Sequence, residues 1–123
     1  MKGDTGSPMD AEDTRRARIA ANEAVYRTVN ERIEDLNRAL SHVAGDDSMT
    51  IICECGDLSC AEQITISIAA YENARSDPTL FIIVPGHEIP DVEDIVAHHD
   101  SFDVVCKHKG SGEIVARATD PRT

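Results

Sequence analysis

Apolar residues recur along the first third of the chain with a helical period, and along the remainder mostly in short strand-like runs. From about Asp13 to Val43 there is neither Pro nor Gly, and Gly45 supplies a natural C-terminal stop. Within that span Ile19, Tyr26, Ile33 and Leu40 share one heptad position, and Asn22, Val29, Leu36 and Val43 share another. The pattern predicts one long amphipathic helix over residues 13–44. Two uses of it compete: a coiled-coil homodimer with Asn22 as the polar seam residue, or an apolar stripe laid on the chain's own domain.

The rest of the pattern is shorter-ranged. Met49–Cys53 and Glu62–Ser67 read as two strands of a hairpin whose long loop carries cysteines. Ser67 is a suitable N-cap for a short helix over 68–76, ended by Asp77-Pro78. Leu80–Val84 is continuously apolar and reads as a central strand buried on both faces. Pro90, followed by Asp91, Glu93 and Asp94, suits the exposed first turn of a helix running to about His98. Phe102–Cys106 and Glu113–Arg117 read as a closing pair of strands around Lys109–Gly112. The expected order is α-β-β-α-β-α-β-β: an α+β domain over 45–123, a small mixed sheet with two short helices, behind the long helix. Residues 1–12, rich in Gly, Ser, Pro and Asp, read as a disordered tail.

Composition sharpens this in two ways. There is no Trp and there are only two Tyr and two Phe, so the core is aliphatic. In a domain of this size a bound metal is a common staple. The net charge of −11 is also lopsided: residues 45–123 carry fifteen acids and five bases. Such a body repels nucleic acid and anionic membranes and attracts a basic partner, or simply stays dispersed in water. No apolar run is long enough to span a membrane, and the first fifteen residues lack a secretory apolar segment. The expected location is the cytoplasm, where thiols stay reduced and clustered Cys favour metal or redox chemistry.

The chemistry concentrates in Cys53-Glu-Cys-Gly-Asp-Leu-Ser-Cys60, which holds three of the four cysteines. Cys53 and Cys55 stand two apart at a strand end, Gly56 permits a turn, and Cys60 returns. His87, presented by Pro85-Gly86, is the complement that completes a closed tetrahedral Cys3His zinc site with a structural Zn2+. His98, His99 and His108 compete for the fourth position, and Cys106 reads as a small buried hydrophobe. An iron–sulfur cluster on the four cysteines, a Cys53–Cys55 redox switch, and a catalytic zinc with Glu88 as general base are the rivals.

Four motifs together resemble a family of small uncharacterised bacterial proteins. They are Asn30-Glu-Arg-Ile-Glu34, the Cys53–Cys60 cluster, Ala70-Tyr-Glu-x-x-Arg75 leading into Asp77-Pro-x-x-Phe-x-x-x-Pro-Gly-His-Glu88, and Asp120-Pro-Arg122. The resemblance spans about residues 15–122 and implies no activity. It implies only that Cys53, Cys55, Cys60 and His87 are the family's own Cys and His positions. The sequence therefore leads to a zinc-stabilised module acting on a protein partner, basic or itself nucleic-acid-binding, or on a second copy through the helix. It is not expected to bind nucleic acid or membrane directly. The alternative is a metal-dependent enzyme or thiol-based redox sensor built on the same cluster.

Overall fold

The computed structural model describes residues 11–44 and 47–122, the side chains of 41–44 excepted. The element order is α1 (Ala11–Ala44), β1 (Ser48–Ile52), β2 (Gln63–Ser67), α2 (Ile68–Arg75), β3 (Leu80–Ile83), β4 (Glu93–His98), β5 (Asp103–Lys107) and α3 (Ser111–Ala118). The architecture is α+β, with a long N-terminal helix as expected. The strands form two antiparallel sheets, β1-β2 and β3-β5-β4. The expected tail over 1–12 lies almost wholly outside the described residues; Ala11 and Glu12 are already helical.

Alternation places Met49, Ile51, Ile64 and Ile66 inward in the β1-β2 hairpin. They join Phe81, Ile82, Ile83, Val104 and Val105 from the second sheet, with Tyr71 and Ala74 of α2, in one core. Ser67 caps α2 as expected, its side chain accepting the Ala70 amide at 3.0 Å.

Three expectations are corrected. Residues 93–98 form strand β4 rather than a helix. Pro90 opens a single turn in which the Val92 and Glu93 amides bond to Ile89 O, and the β-branched Ile95 and Val96 then extend. Glu93 is consequently buried, not exposed with Asp91 and Asp94. Residues 111–118 form helix α3 rather than a strand. Gly110, at φ 121°, breaks the strand direction, and buried Gly112 lets α3 close on the Arg16 carbonyl of α1 and the Lys107 stem. Finally, β3 is an edge strand, not a central one. Its outer edge is occupied by the cysteine loop instead of another strand: Glu54 N donates to Ile82 O at 2.8 Å, and Ile82 N donates to Glu54 Oε1 at 2.9 Å.

Helix α1 lies on its own domain, by a face that apolar periodicity does not mark. The buried residues are Ala20, Glu23, Ala24, Arg27, Asn30 and Glu34. Arg27 donates to Pro78 O and Ala116 O and stacks 4.5 Å above the Phe81 ring. Asn30 pairs with both backbone groups of Ile52 in the manner of a neighbouring strand. Of the heptad positions, Ile19, Asn22, Tyr26 and Ile33 turn partly inward, whereas Val29, Leu36 and Leu40 face solvent.

The C-terminal end of this contact is ionic. Arg122 bridges Glu31, Glu34 and Glu72, and buried Arg75 bridges Glu31 and Asp120. Tyr71 donates to Glu31 Oε2 at 2.6 Å. Three of the sequence motifs, Asn30–Glu34, Ala70–Arg75 and Asp120–Arg122, thus converge on one polar network that fastens α1 to α2 and the chain's end.

Candidate metal centre

The site grows out of the end of β1. Continued strand alternation sends the Cys53 and Cys55 side chains to the side of Ile51 and Glu54 to the other, where Asn30 of α1 and the Ile82 amide enclose it. The Cys53 amide still bonds across to Glu62 O at 2.8 Å, so the first candidate ligand is held by the hairpin ladder. Gly56 then passes under α1. A Cβ there would lie 2.8 Å from Ile19 Cγ2, so close approach, not an unusual backbone angle, is what requires glycine. Asn22 and Tyr26 of α1 fix the same loop by donating to Gly56 O at 3.3 Å and Leu58 O at 2.9 Å. Asp57 turns the chain by accepting from the Ser59 amide and hydroxyl, and Cys60 N donates to Asp57 O.

His87 arrives from the other sheet. Pro85 and Gly86, the latter at φ 93°, form a turn closed by His87 N to Val84 O at 3.0 Å. The turn brings His87 Nδ1 to 3.6 Å from Cys53 Sγ and 3.7 Å from Cys60 Sγ. One ligand atom from each of Cys53, Cys55, Cys60 and His87 lies within 4.8 Å of the other three. All four expected site residues therefore meet. Bonds of about 2.3 Å to sulfur and about 2.0–2.1 Å to nitrogen make the S···N edge of a tetrahedron about 3.6 Å. The set can hold one metal ion.

The surroundings disfavour free thiolates by burial while offering them backbone hydrogen bonds. Burial pushes the Cys53 thiol far up from its ordinary range, opposed by the amides of Val84 and Cys55; the Val84 amide lies 3.2 Å from its sulfur. Burial likewise raises Cys55, opposed first by the Asp57 amide. Unmetallated, these are thiols of low reactivity; a cation in their midst displaces the protons and the same amides then stabilise the thiolates. The imidazole is oriented from behind, with its Nε2 3.2 Å from Glu62 Oε2. That leaves Nδ1 as the ligating atom and Nε2–H as donor to a carboxylate, the usual support of a metal-bound histidine. Glu62→Gln is therefore expected to weaken metal retention about tenfold against a competing chelator, with no loss of fold. Unchanged retention would remove Glu62 from the site.

The competing residues lie elsewhere. His98 pairs with Asp103, His99 stacks on Phe102, and His108 pairs with Asp94. Cys106 sits half-buried in β5 beside Thr79, outside the cluster, and cannot join it as a fourth thiolate. A cavity of about 300 Å³ adjoins the cluster, lined by Cys55, Gly56, Asp57, His87 and Ile89. Glu88, the one candidate general base, is not among its walls.

Sequence reasoning missed the supporting roles of Asn22, Tyr26, Glu54 and Glu62. Period-2 alternation through Cys53-Glu54-Cys55 was the available signal for Glu54. No local signal marks the others, since each acts across a long sequence separation. No protein-family model, no curated protein and no solved structure matches this chain.

Proposed function

We propose that the chain is a zinc-stabilised interaction or regulatory module whose metal is structural. The observation that carries this reading is the donor set: three sulfurs and one imidazole nitrogen lie within 4.8 Å of one another, and three thiolates with one imidazole is the composition of structural zinc sites. Thiolate-rich sites select zinc or copper(I) over hard cations. Two of the sulfurs belong to buried residues, and the His ligand is backed by a carboxylate. The ion would tie the β1-β2 loop to the end of β3, joining two sheets that share no strand.

Interaction is the reading of the surface. Among the described residues no helix is long and apolar enough to cross a membrane. Asp47, Asp57, Glu62, Asp91, Asp94 and Asp100 are exposed, and an acidic surface suits a basic partner, including a protein whose own ligand is nucleic acid. The cavity beside Cys55 and His87 is the one observation that favours the second reading, a metal-dependent enzyme or thiol sensor; it would require a ligand to leave the metal.

Purified protein is expected to carry about one zinc per chain, and chelation to lower the melting temperature strongly, because metal binding energy is folding energy. His87→Ala should release the metal readily under chelator challenge, while His98→Ala retains it. No zinc, or iron with inorganic sulfide, would overturn the metal reading; equal retention by the two variants would overturn the fourth ligand.

A further inference from the structure

We infer that, on the interaction reading and with its metal in place, the cavity beside Cys55 and His87 receives a lysine side chain of the basic partner. The ammonium would sit between the Asp57 carboxylate and the Cys55 sulfur. The cavity, about 300 Å³, opens between two turns that each deliver a residue of the metal centre. Cys55, Gly56 and Asp57 line it from one turn, His87 and Ile89 from the other. That volume is at the lower end for a ligand pocket, so it admits one long side chain more readily than a large cofactor.

The lining selects the charge of the occupant. Asp57 is exposed, and its Oδ1 accepts the Ser59 amide and hydroxyl, while among the described residues nothing engages its Oδ2. No lysine or arginine of the chain bears on Asp57; the one charged side chain that does is His87, from the other turn. Three thiolates outweigh one divalent ion by a single negative charge, so the metal centre is itself anionic when loaded. Cys55 presents that charge to the cavity. An anion entering would meet two negative groups, and a wholly apolar ligand would leave the carboxylate without a partner.

A cation on an apolar stem satisfies every wall. An ammonium carries three donors and no acceptor, and both oxygen and thiolate sulfur accept from it. Its methylene stem can lie along Ile89 and Gly56 while the charged head meets Asp57. With one free carboxylate oxygen, Asp57 suits the point charge of lysine rather than the two-pronged fork of arginine. The contact is a hydrogen bond to a metal-bound sulfur, so all four ligands stay in place. The cavity then serves recognition without opening the metal.

Titration of the full, zinc-loaded chain with an octalysine peptide at low salt, followed by amide NMR, tests the inference. The expected result is saturable binding with its largest shifts at Gly56, Asp57, His87 and Ile89. Asp57→Asn keeps the Oδ1 acceptor for Ser59, and with it the loop, yet should weaken binding about tenfold. Ile89→Phe fills the cavity without changing charge and should weaken binding about as much. Asp100→Asn removes the same charge from the β4-β5 turn, which does not line the cavity, and should cost less than about twofold. Zinc content is measured on every variant, so that loss of the metal is not read as loss of the cation contact. Zinc-loaded protein that does not bind at about 1 mM peptide overturns the inference and leaves the metal reading standing; a chain without zinc overturns both. Equal weakening by Asp57→Asn and Asp100→Asn, or full binding by Ile89→Phe, also overturns it, the mark of diffuse attraction to an acidic surface. So does n-butylammonium binding in the cavity when the peptide does not, the mark of a small amine ligand.

Discussion

Lys107→Met is expected to be the most damaging single substitution in the molecule. Lys107 Nζ lies 2.8 Å from Glu23 Oε1 and 3.1 Å from Glu93 Oε1, and all three side chains are fully buried. The ammonium is the only positive charge in that contact. Burial first, and then the neighbouring Glu93 carboxylate, pushes Glu23 well above its ordinary pKa, with Lys107 opposing. The approach of Lys107 to Glu23 is an ion pair by distance, but neither Glu23 oxygen receives a well-directed hydrogen bond. Removing the amine therefore leaves two stranded carboxylates joining α1, β4 and β5. Breaking a buried charge group in this way costs about 3–5 kcal/mol, a large fraction of the stability of a small domain.

The pH dependence has a definite sign. A carboxyl whose folded pKa exceeds its unfolded value favours the fold most below the unfolded value, and that contribution is lost as pH rises through the folded one. Lys107→Met should accordingly regain stability as pH is lowered from 7 toward about 5. Adding Glu23→Gln should recover much of the loss at neutral pH. In the wild type, Glu23→Gln alone should flatten the melting temperature across the same interval. Melts of the four proteins from pH 5 to 8 decide the matter; a Lys107→Met variant that melts like wild type at neutral pH would show that the triad is not the tie described.

What the sequence disclosed and what it withheld divide along a physical line. The four residues of the candidate metal centre were legible because a strand end, a turn residue and a Pro-Gly turn are local signals. The α2 cap at Ser67 and the alternation of Ile64 and Ile66 were legible for the same reason. The two misassigned segments, 93–98 and 113–117, carry local signals that tertiary contacts overrode. Pro90 and its acids resemble a helix start, but Glu93 is drawn inward to Lys107, and a strand lets it reach. Ile114 and Val115 resemble a strand, but Gly110 and Gly112 permit α3 to dock on α1. The contact face of α1 was illegible for a different reason. Periodicity arguments look for apolar stripes, and this helix buries Glu23, Arg27, Asn30 and Glu34 while exposing Val25, Leu36 and Leu40. Charge counting was misled in the same way: Glu54, Glu93 and Asp103 add to the acidity of residues 46–103 yet are buried.

Glu54→Leu is expected to damage fold and metal site together. The Glu54 carboxylate is enclosed between its two donors, Ile82 N at 2.9 Å and Asn30 Nδ2 at 2.8 Å. Burial raises its pKa, opposed by those hydrogen bonds and by the more distant charges of Arg75 and Arg27. Leucine fills similar space but accepts nothing, so the open edge of β3 loses an acceptor for its amide and Asn30 keeps only one of two. Two orphaned buried donors cost about 2–5 kcal/mol together. The same edge carries the metal loop, because Val84 N bonds to Cys53 Sγ and the turn from Val84 delivers His87. Loosening β3 therefore displaces one ligand against the other three, and metal affinity should fall about 10–100-fold. Glu54→Gln, which retains an acceptor for Ile82 but sets a donor against Asn30, should be intermediate in both respects. Chelator competition and thermal melts with and without metal separate the two effects. If Glu54→Leu lowers the melt only when metal is absent, the metal holds the two sheets together unaided; if it lowers both melts and the affinity, Glu54 is the strut on which the site is built.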